Sequence, residues 1–294
     1  MIIDPKEIST AKLHAYMLSS IAPRPIAFAS TIDKNGVANL SPFSFFNAFG
    51  SNPPTLIFSP ARRVRDKSIK HTLENIYETG EVVINTVNYN MVQQMSLTSV
   101  EFPKGVDEFV KAGFTKLESQ IVKPFRVKES PVQMECKVID VKEMGQEGGA
   151  ANLIICELLM MHINDEVLDA DGHIDQHKID LVARLGGNWY SRNSGNALFE
   201  VTKPNLKPAI GFDLLPDEIR NSTVLSGNDL GKLANAEHLP TEEELSTVDV
   251  GNLIEELKTR FAVDDESLIY HKHLTAKDFL DNHELMKAWK VLLR

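Results

Sequence analysis

Between residues 21 and 70 the chain gathers side chains that can hold an anion. Ser41, Ser44 and Ser59 place three hydroxyls on two neighbouring apolar runs, and Arg62, Arg63, Arg65 and Lys67 follow directly. Cationic side chains that converge with hydroxyl and backbone N–H donors are what a dianionic phosphate requires. A solvated basic surface feeding a helix is the other reading of the same residues. Upstream, Pro23-Arg24-Pro25 fixes φ twice and pushes the preceding residues toward extended conformations, so the backbone is rigid beside whatever it faces. A kink on an edge strand would need the same prolines. Asn39, Asn47 and Asn85 are amides inside apolar runs, so burial obliges them to find partners, either on a polar ligand or in the local backbone. Phe45, Phe46 and Phe49 read as core residues.

Other chemistries are less well supported. His173 and His177, with Asp171 and Asp175, have i,i+4 spacing, but Asp169-Ala170-Asp171-Gly172 reads as a surface turn and no metal site is expected. His271 and His273 fall in an acidic stretch and read as surface residues. Cys136 and Cys156, the only two cysteines, are too few for a disulfide framework and read as buried packing thiols. There is no GxGxxG for a resident nicotinamide and no GxSxG for a hydrolase, and no catalytic acid, base or nucleophile is assigned.

The elements that position these residues are mostly strands. Asp33-Lys34-Asn35-Gly36 predicts a tight hairpin with positive φ, pairing Ile26–Thr31 with Val37–Phe45 in antiparallel fashion. Residues 55–59 read as a short strand. Asp66 or Ser68 is expected to cap a helix with Ile69, Leu73, Ile76 and Tyr77 on one face and Gly80 as its stop. Residues 81–87 are a β-branched strand, and residues 89–120 read as mostly helical and irregular, broken at Pro103-Lys104-Gly105. Residues 131–142 and 151–163 form a second hairpin around the glycine-rich turn 145–149, its second strand buried on both sides. About six or seven antiparallel strands favour a barrel or sandwich. Beyond residue 205 the pattern is helical, with capping-box spacings at Thr241/Glu244 and Thr275/Asp278 and an apolar stripe of Leu285, Trp289, Leu292 and Leu293. This tail is expected to pack on the β domain or on a neighbouring subunit rather than fold alone, with an independent acidic appendage as the alternative.

Composition bounds the class. With 294 residues and 43% hydrophobic content, the chain can bury one large core or two smaller ones. No apolar run approaches the roughly 18 residues that span a bilayer, and MIIDPKEIST lacks the pattern of a signal peptide, so a cytoplasmic protein without membrane contact is expected. A net charge of -10 disfavours a nucleic-acid partner. The charge is uneven: residues 62–70 carry five positive and one negative, residues 236–267 two positive and ten negative.

The stretches PRPIAFAST, NLSPFSFFNAF and NPPTLIFS, followed by the basic segment 62–70, resemble the flavin reductase-like family of FMN-binding split-barrel flavoproteins. The resemblance continues more loosely to about Tyr190. It implies an antiparallel FMN-binding split β-barrel over residues 1–194, mainly β with helices, and leaves 195–294 as a helical C-terminal extension. It further implies that Ala22, Pro23, Arg24, Pro25 and Thr31 lie against the flavin ring, and that Ser44, Ser59, Arg62 and Lys67 contact the phosphate and ribityl chain. Asn39, Ser41 and Asn47 join them as candidates. The segment IDLVARLGGNWY resembles the family's closing segment and adds Arg184 and Tyr190 in second rank. The implied activity is NAD(P)H-dependent flavin reduction, with transient NAD(P)H docking, alone or as the reductase component of a two-protein monooxygenase. A non-catalytic FMN-binding electron carrier is the alternative. The resemblance also implies a homodimer with FMN near the interface and an oxygenase or electron-transfer partner.

Overall fold

Asp33 organises the first hairpin, because its Oδ1 accepts from Asn35 N and Val37 N, both at 2.8 Å. Gly36 then turns the chain at φ +83°, a left-handed conformation that glycine adopts without a Cβ penalty. The flanking strands β1 (Ala27–Ile32) and β2 (Ala38–Phe43) pair antiparallel, from Ala27 opposite Phe43 to Ile32 opposite Ala38. The computed structural model describes residues 1–204, 207–261 and 264–294, which form two compact units, Met1–Phe199 and Glu200–Arg294.

The first unit begins with helix α1 (Thr10–Ser20), followed by β1 and β2. Strands β3 (Phe46–Ser51) and β4 (Pro54–Phe58) come next, then α2 (His71–Thr79) and β5 (Glu81–Asn85). Short elements follow: α3 (Val92–Leu97), α4 (Glu108–Ala112) and the ribbon of β6 (Lys116–Leu117) and β7 (Arg126–Val127). The long hairpin β8 (Val132–Glu143) and β9 (Asn152–Ile163) leads to α5 (Gln176–Ile179) and a second ribbon, β10 (Val182–Arg184) with β11 (Tyr190–Arg192). Seven strands make one antiparallel sheet in the order β2-β1-β5-β8-β9-β4-β3.

Among the described residues no pairing joins β2 to β3, so the expected barrel is an open sheet. On β2 the outward N–H of Leu40 is taken by the buried Glu108 carboxylate of α4 at 3.0 Å rather than by another strand. On β3 the register breaks between Ala48 and Gly50. Strand β1 is buried along its whole length because both of its faces are covered. Ala27 and Ala29 join Leu56, Phe58, Ile84, Met134 and Ile154 in one core, while Phe28 joins Leu40, Met91, Phe109 and Phe114 in another. Full burial of each such large side chain contributes about 1.5–3 kcal/mol.

Several local expectations are corrected. β3 arises in a stretch with no strand pattern, and Phe49 on it is 64% exposed while Phe45 stands partly in solvent. α2 starts at His71, and its N-cap Lys70 makes no side-chain cap. Asp66 and Ser68 instead bond each other in a turn, Ser68 N donating to Asp66 Oδ1 at 3.0 Å. Gly80 does end the helix, in a left-handed conformation, but Tyr77 faces solvent and donates to Glu143 at 2.7 Å. β9 alternates buried and half-exposed positions, so only one of its faces is packed. Cys136 and Cys156 are both free and buried, and burial pushes both thiols upward, Cys156 to about 12.

The second unit consists of helices α6 (Asp217–Arg220), α7 (Gly227–Ala234), α8 (Glu242–Thr247), α9 (Leu253–Arg260), α10 (Asp265–Asp281) and α11 (Leu285–Leu293). It has its own core, in which Trp289, Leu292, Leu280, Leu245, Leu233 and Ile219 are buried. The Thr241/Glu244 capping box opens α8. Thr275 caps nothing: it sits inside α10, where its hydroxyl donates to His271 O at 2.9 Å. His273 is buried rather than on the surface, and His271 stacks on Phe261 with ring centroids 3.4 Å apart. No helix among the described residues is long and apolar enough to cross a membrane.

Candidate functional site

The loop from Ser59 to Lys70 is fastened by the tip of the β8–β9 hairpin. Arg62 N donates to Ala150 O at 2.9 Å, Gly149 N donates to Arg62 O at 3.0 Å, and Asn152 Nδ2 holds Pro60 O at 2.8 Å. At Gly148 an added Cβ would lie 2.6 Å from Val64 O and 2.9 Å from Val64 Cα, so glycine alone admits the loop backbone there. Sequence reading found the glycine-rich turn but not its role as the seat of the basic loop.

The cations on this loop are not equivalent. Glu101 gathers three of them, with Arg63 Nε at 3.0 Å, Arg65 Nη2 at 2.6 Å and Lys70 Nζ at 3.7 Å. The hydrogen bond from Arg63 leads the effects that hold the Glu101 carboxyl below its usual range. Arg62 pairs with Glu143 at 3.0 Å and also donates to Lys67 O at 3.2 Å. Glu143, bonded by Tyr77 first and then by Gln146 and Arg62, is likewise held low. Lys67, at φ +61°, pairs with Glu147 at 2.6 Å while remaining exposed. Two polar atoms are left over: Ser59 Oγ and Arg62 Nε are buried with no hydrogen-bond partner among the described residues. Burying such groups unpaired costs about 1–3 kcal/mol each. One is a hydroxyl and the other a charged donor, which together suit an oxyanion.

Ser59 N donates to Phe45 O at 2.9 Å, so Ser59 is joined to the residue that follows Ser44. From Ser44 the contacts continue to Arg24, whose Nε lies 3.4 Å from Ser44 Oγ. The rest of the buried Arg24 guanidinium serves carbonyls: Leu18 O, Ile21 O at 2.7 Å and Leu185 O at 2.9 Å. Its backbone bridges Arg184, with N–H···O distances of 3.0 and 2.8 Å. Arg24 therefore clamps the end of α1, the Ser44 turn and the start of the 185–189 turn, with four of its five side-chain donors used inside the protein. Burial, then the neighbouring Arg184 charge, lowers its pKa. Ala22, Pro23 and Pro25 around it are exposed, and the Ala22-Pro23 bond is cis.

The other candidates disperse. Thr31 and Asn39 face each other across the first hairpin and both reach α2, with Asn75 Nδ2 donating to Thr31 Oγ1 at 3.1 Å and Asn39 Nδ2 to Thr72 Oγ1 at 2.9 Å. The cleft beside them, lined by Asn39, His71, Asn75 and Lys104, has a volume of about 20 Å³, the scale of one water. Ser41 is half-buried on β2. Asn47 is exposed on β3, its Oδ1 accepting from Ala48 N at 2.9 Å. Asn85 is a structural amide, donating to Phe28 O at 2.9 Å and accepting from Val127 N at 3.0 Å. Arg184 lies 4.6 Å over the Tyr190 ring. Asp169, Asp171 and His173 come within 4.8 Å of one another at the surface, but Asp169 Oδ1 already closes the turn by accepting from Asp171 N and His173 N.

A family profile described as flavin reductase like domain matches residues 18–178. An uncharacterised protein from Aquifex aeolicus is 36% identical over 199 residues, covering 67% of this chain and 97% of that protein. One from Halalkalibacterium halodurans is 34% identical over 194 residues, covering 65% and 92%. Among solved structures, nitrilotriacetate monooxygenase component B from Bacillus cereus superposes with a TM-score of 0.63 at 28% identity, covering 69% of this chain and 98% of that one. A protein with a split barrel domain from Shewanella frigidimarina gives 0.58 at 26%, covering 69% and 99%.

Proposed function

The chain belongs to the flavin reductase-like family, and from that premise we propose that it binds FMN and reduces it with NAD(P)H, handing the electrons to a separate oxygenase. The observation that carries this reading is the pair of unsatisfied buried groups, Ser59 Oγ and Arg62 Nε, on a loop of five cations. Ser59 and Arg62 would hold the phosphate, with Lys67 able to leave the exposed Glu147 and join them. Ser44 would serve the ribityl chain, and the exposed Ala22, Pro23 and Pro25 would lie along the ring, while the backbone of the buried Arg24 is held by Arg184. Thr31, Asn39 and Asn47 are supporting candidates, and Ser41 lies on the same strand as Asn39. Arg24 contributes by fixing the backbone rather than by direct charge.

When bound, the flavin would supply the hydride acceptor, and no acid or base from the protein is needed for that transfer. The chain's part is to position the ring and leave one face open to a transient nicotinamide. The oxygenase partner is proposed from similarity to a monooxygenase component B. A homodimer with flavin near the interface fits the exposed strand β3 and its protruding Phe49. A cytoplasmic site of action is part of the same proposal, because reduced nicotinamide must be at hand. The test is anaerobic mixing of FMN-loaded protein with NADH and NADPH while flavin absorbance is followed. Bleaching by either supports the reductase. Stable yellow colour with both, but reduction by dithionite, would instead identify an electron carrier fed by another protein.

A further inference from the structure

Trp189 is 74% exposed, yet its backbone is held on every side. Its N–H donates to Gly186 O at 3.2 Å, and its carbonyl accepts from Leu185 N at 3.0 Å and from Arg184 Nη1 at 3.1 Å. The turn carrying it is pressed against α1: a Cβ added at Gly186 would meet Ser19 Oγ at 2.2 Å and Ser19 Cα at 3.1 Å. Gly187 completes the turn at φ +57°. Leu185 O is held by Arg24, the residue that also reaches Ser44 and stands between Pro23 and Pro25. An indole on so rigid a mount loses little conformational freedom when something covers it, which is the property of a recognition aromatic. Ile21, whose carbonyl Arg24 also holds, is exposed as well, which adds an apolar side chain close to the Pro-Arg-Pro segment. Trp189 lies outside residues 18–178 matched by the family profile, so the match itself assigns it nothing.

We propose that Trp189 is the ring-stacking residue of this site, its indole covering a planar heteroaromatic ring, the isoalloxazine, laid along Ala22–Pro25. This rests on the flavin reading above and adds to it the residue that recognises the ring rather than the phosphate. Stacking and the apolar area it buries give about a tenfold effect on affinity. The contact would be blind to the phosphate and sensitive to the loss of an aromatic face.

The experiment uses full-length, flavin-free protein titrated with FMN and with riboflavin, monitored by flavin fluorescence and by acrylamide quenching of tryptophan emission. The only other tryptophan, Trp289, is fully buried, so the accessible emission belongs to Trp189. Flavin saturation is expected to shield that emission. Trp189→Ala should weaken both flavins by the same factor, roughly tenfold, and Trp189→Phe should stay within about threefold of the parent. The proposal is overturned if Trp189→Ala binds both flavins as the parent does, or if the indole stays open to acrylamide at saturation. It is also overturned if rising protein concentration shields the indole without flavin, since a second copy would then be its partner. Failure of the parent protein to bind either flavin would overturn the flavin reading itself, and this role with it.

Discussion

Arg24 looks in the sequence like a cation offered to a ligand, and in the structure it serves three carbonyls and a serine hydroxyl. Its partners Leu18, Ile21, Ser44 and Leu185 come from segments up to 161 residues away, so a linear reading could find the residue but not its employment. The prediction follows from unpaired carbonyls. Arg24→Ala should lower stability by about 3 kcal/mol or more in urea denaturation, because several buried acceptors lose a charged donor together. Arg24→Lys should recover only part, since a single ammonium cannot reproduce the planar fork. By contrast, Ser59 and Arg62 were readable as candidates for an anion, and Ser59 Oγ and Arg62 Nε stand buried with no hydrogen-bond partner among the described residues. What the sequence hid was that Glu101 takes Arg63, Arg65 and Lys70 away from them.

Among elements, the long hairpins were readable because alternation and turn residues signal them directly. β3 was not, since NAFGS has neither alternation nor β-branched residues and is held by pairing with β4. The seat of the basic loop was equally hidden, because Gly148 makes its contact with Val64 across 84 positions of chain, and only the fold brings them together. Gly148→Val should displace that loop. The expected result is a loss of FMN affinity of about tenfold or more, read by fluorescence titration, with riboflavin affected less, since a shift of a few tenths of an ångström already spoils charge-assisted hydrogen bonds.

In the helical unit, His273 was misread as exposed because the acidic composition around it masks the buried side of α10. Its Nδ1 bonds Ser222 at 2.7 Å, and Glu218 stands 3.9 Å from Nε2. Burial leads the effects that push its pKa below the usual value, with Lys272 adding to them and Glu218 opposing. In the unfolded chain the imidazole takes its proton near pH 6.5 (about the model-peptide value), above the folded pKa. The neutral form therefore supports the fold fully above about pH 6.5, and the support is lost as pH falls through that value and then through the lower folded pKa. Thermal melts of the full-length protein should show the helical unit losing stability between about pH 7.5 and pH 5, and His273→Gln should flatten that dependence.

At the scale of the whole molecule, a family domain is followed by a unit that the compared relatives do not span: the Aquifex protein is covered over 97% of its length by 199 residues of this chain. In the sequence the character changes over the same stretch, from strand pattern to capped helices. The sequence reading doubted that the tail could fold alone, and in the structure the tail has a core of its own around Trp289. The open sheet was less legible, because strand count does not say whether the two end strands meet. The central claim is that this chain recognises FMN by its phosphate through the Ser59–Lys67 loop. The most direct test compares FMN and riboflavin affinity for the parent protein and for a Ser59→Ala, Arg62→Gln double variant. The parent should prefer FMN by roughly tenfold or more, and the double variant should lose FMN affinity by about ten- to a hundredfold with riboflavin nearly unchanged. Equal affinity of the parent for the two flavins, or equal loss of both in the variant, would contradict it.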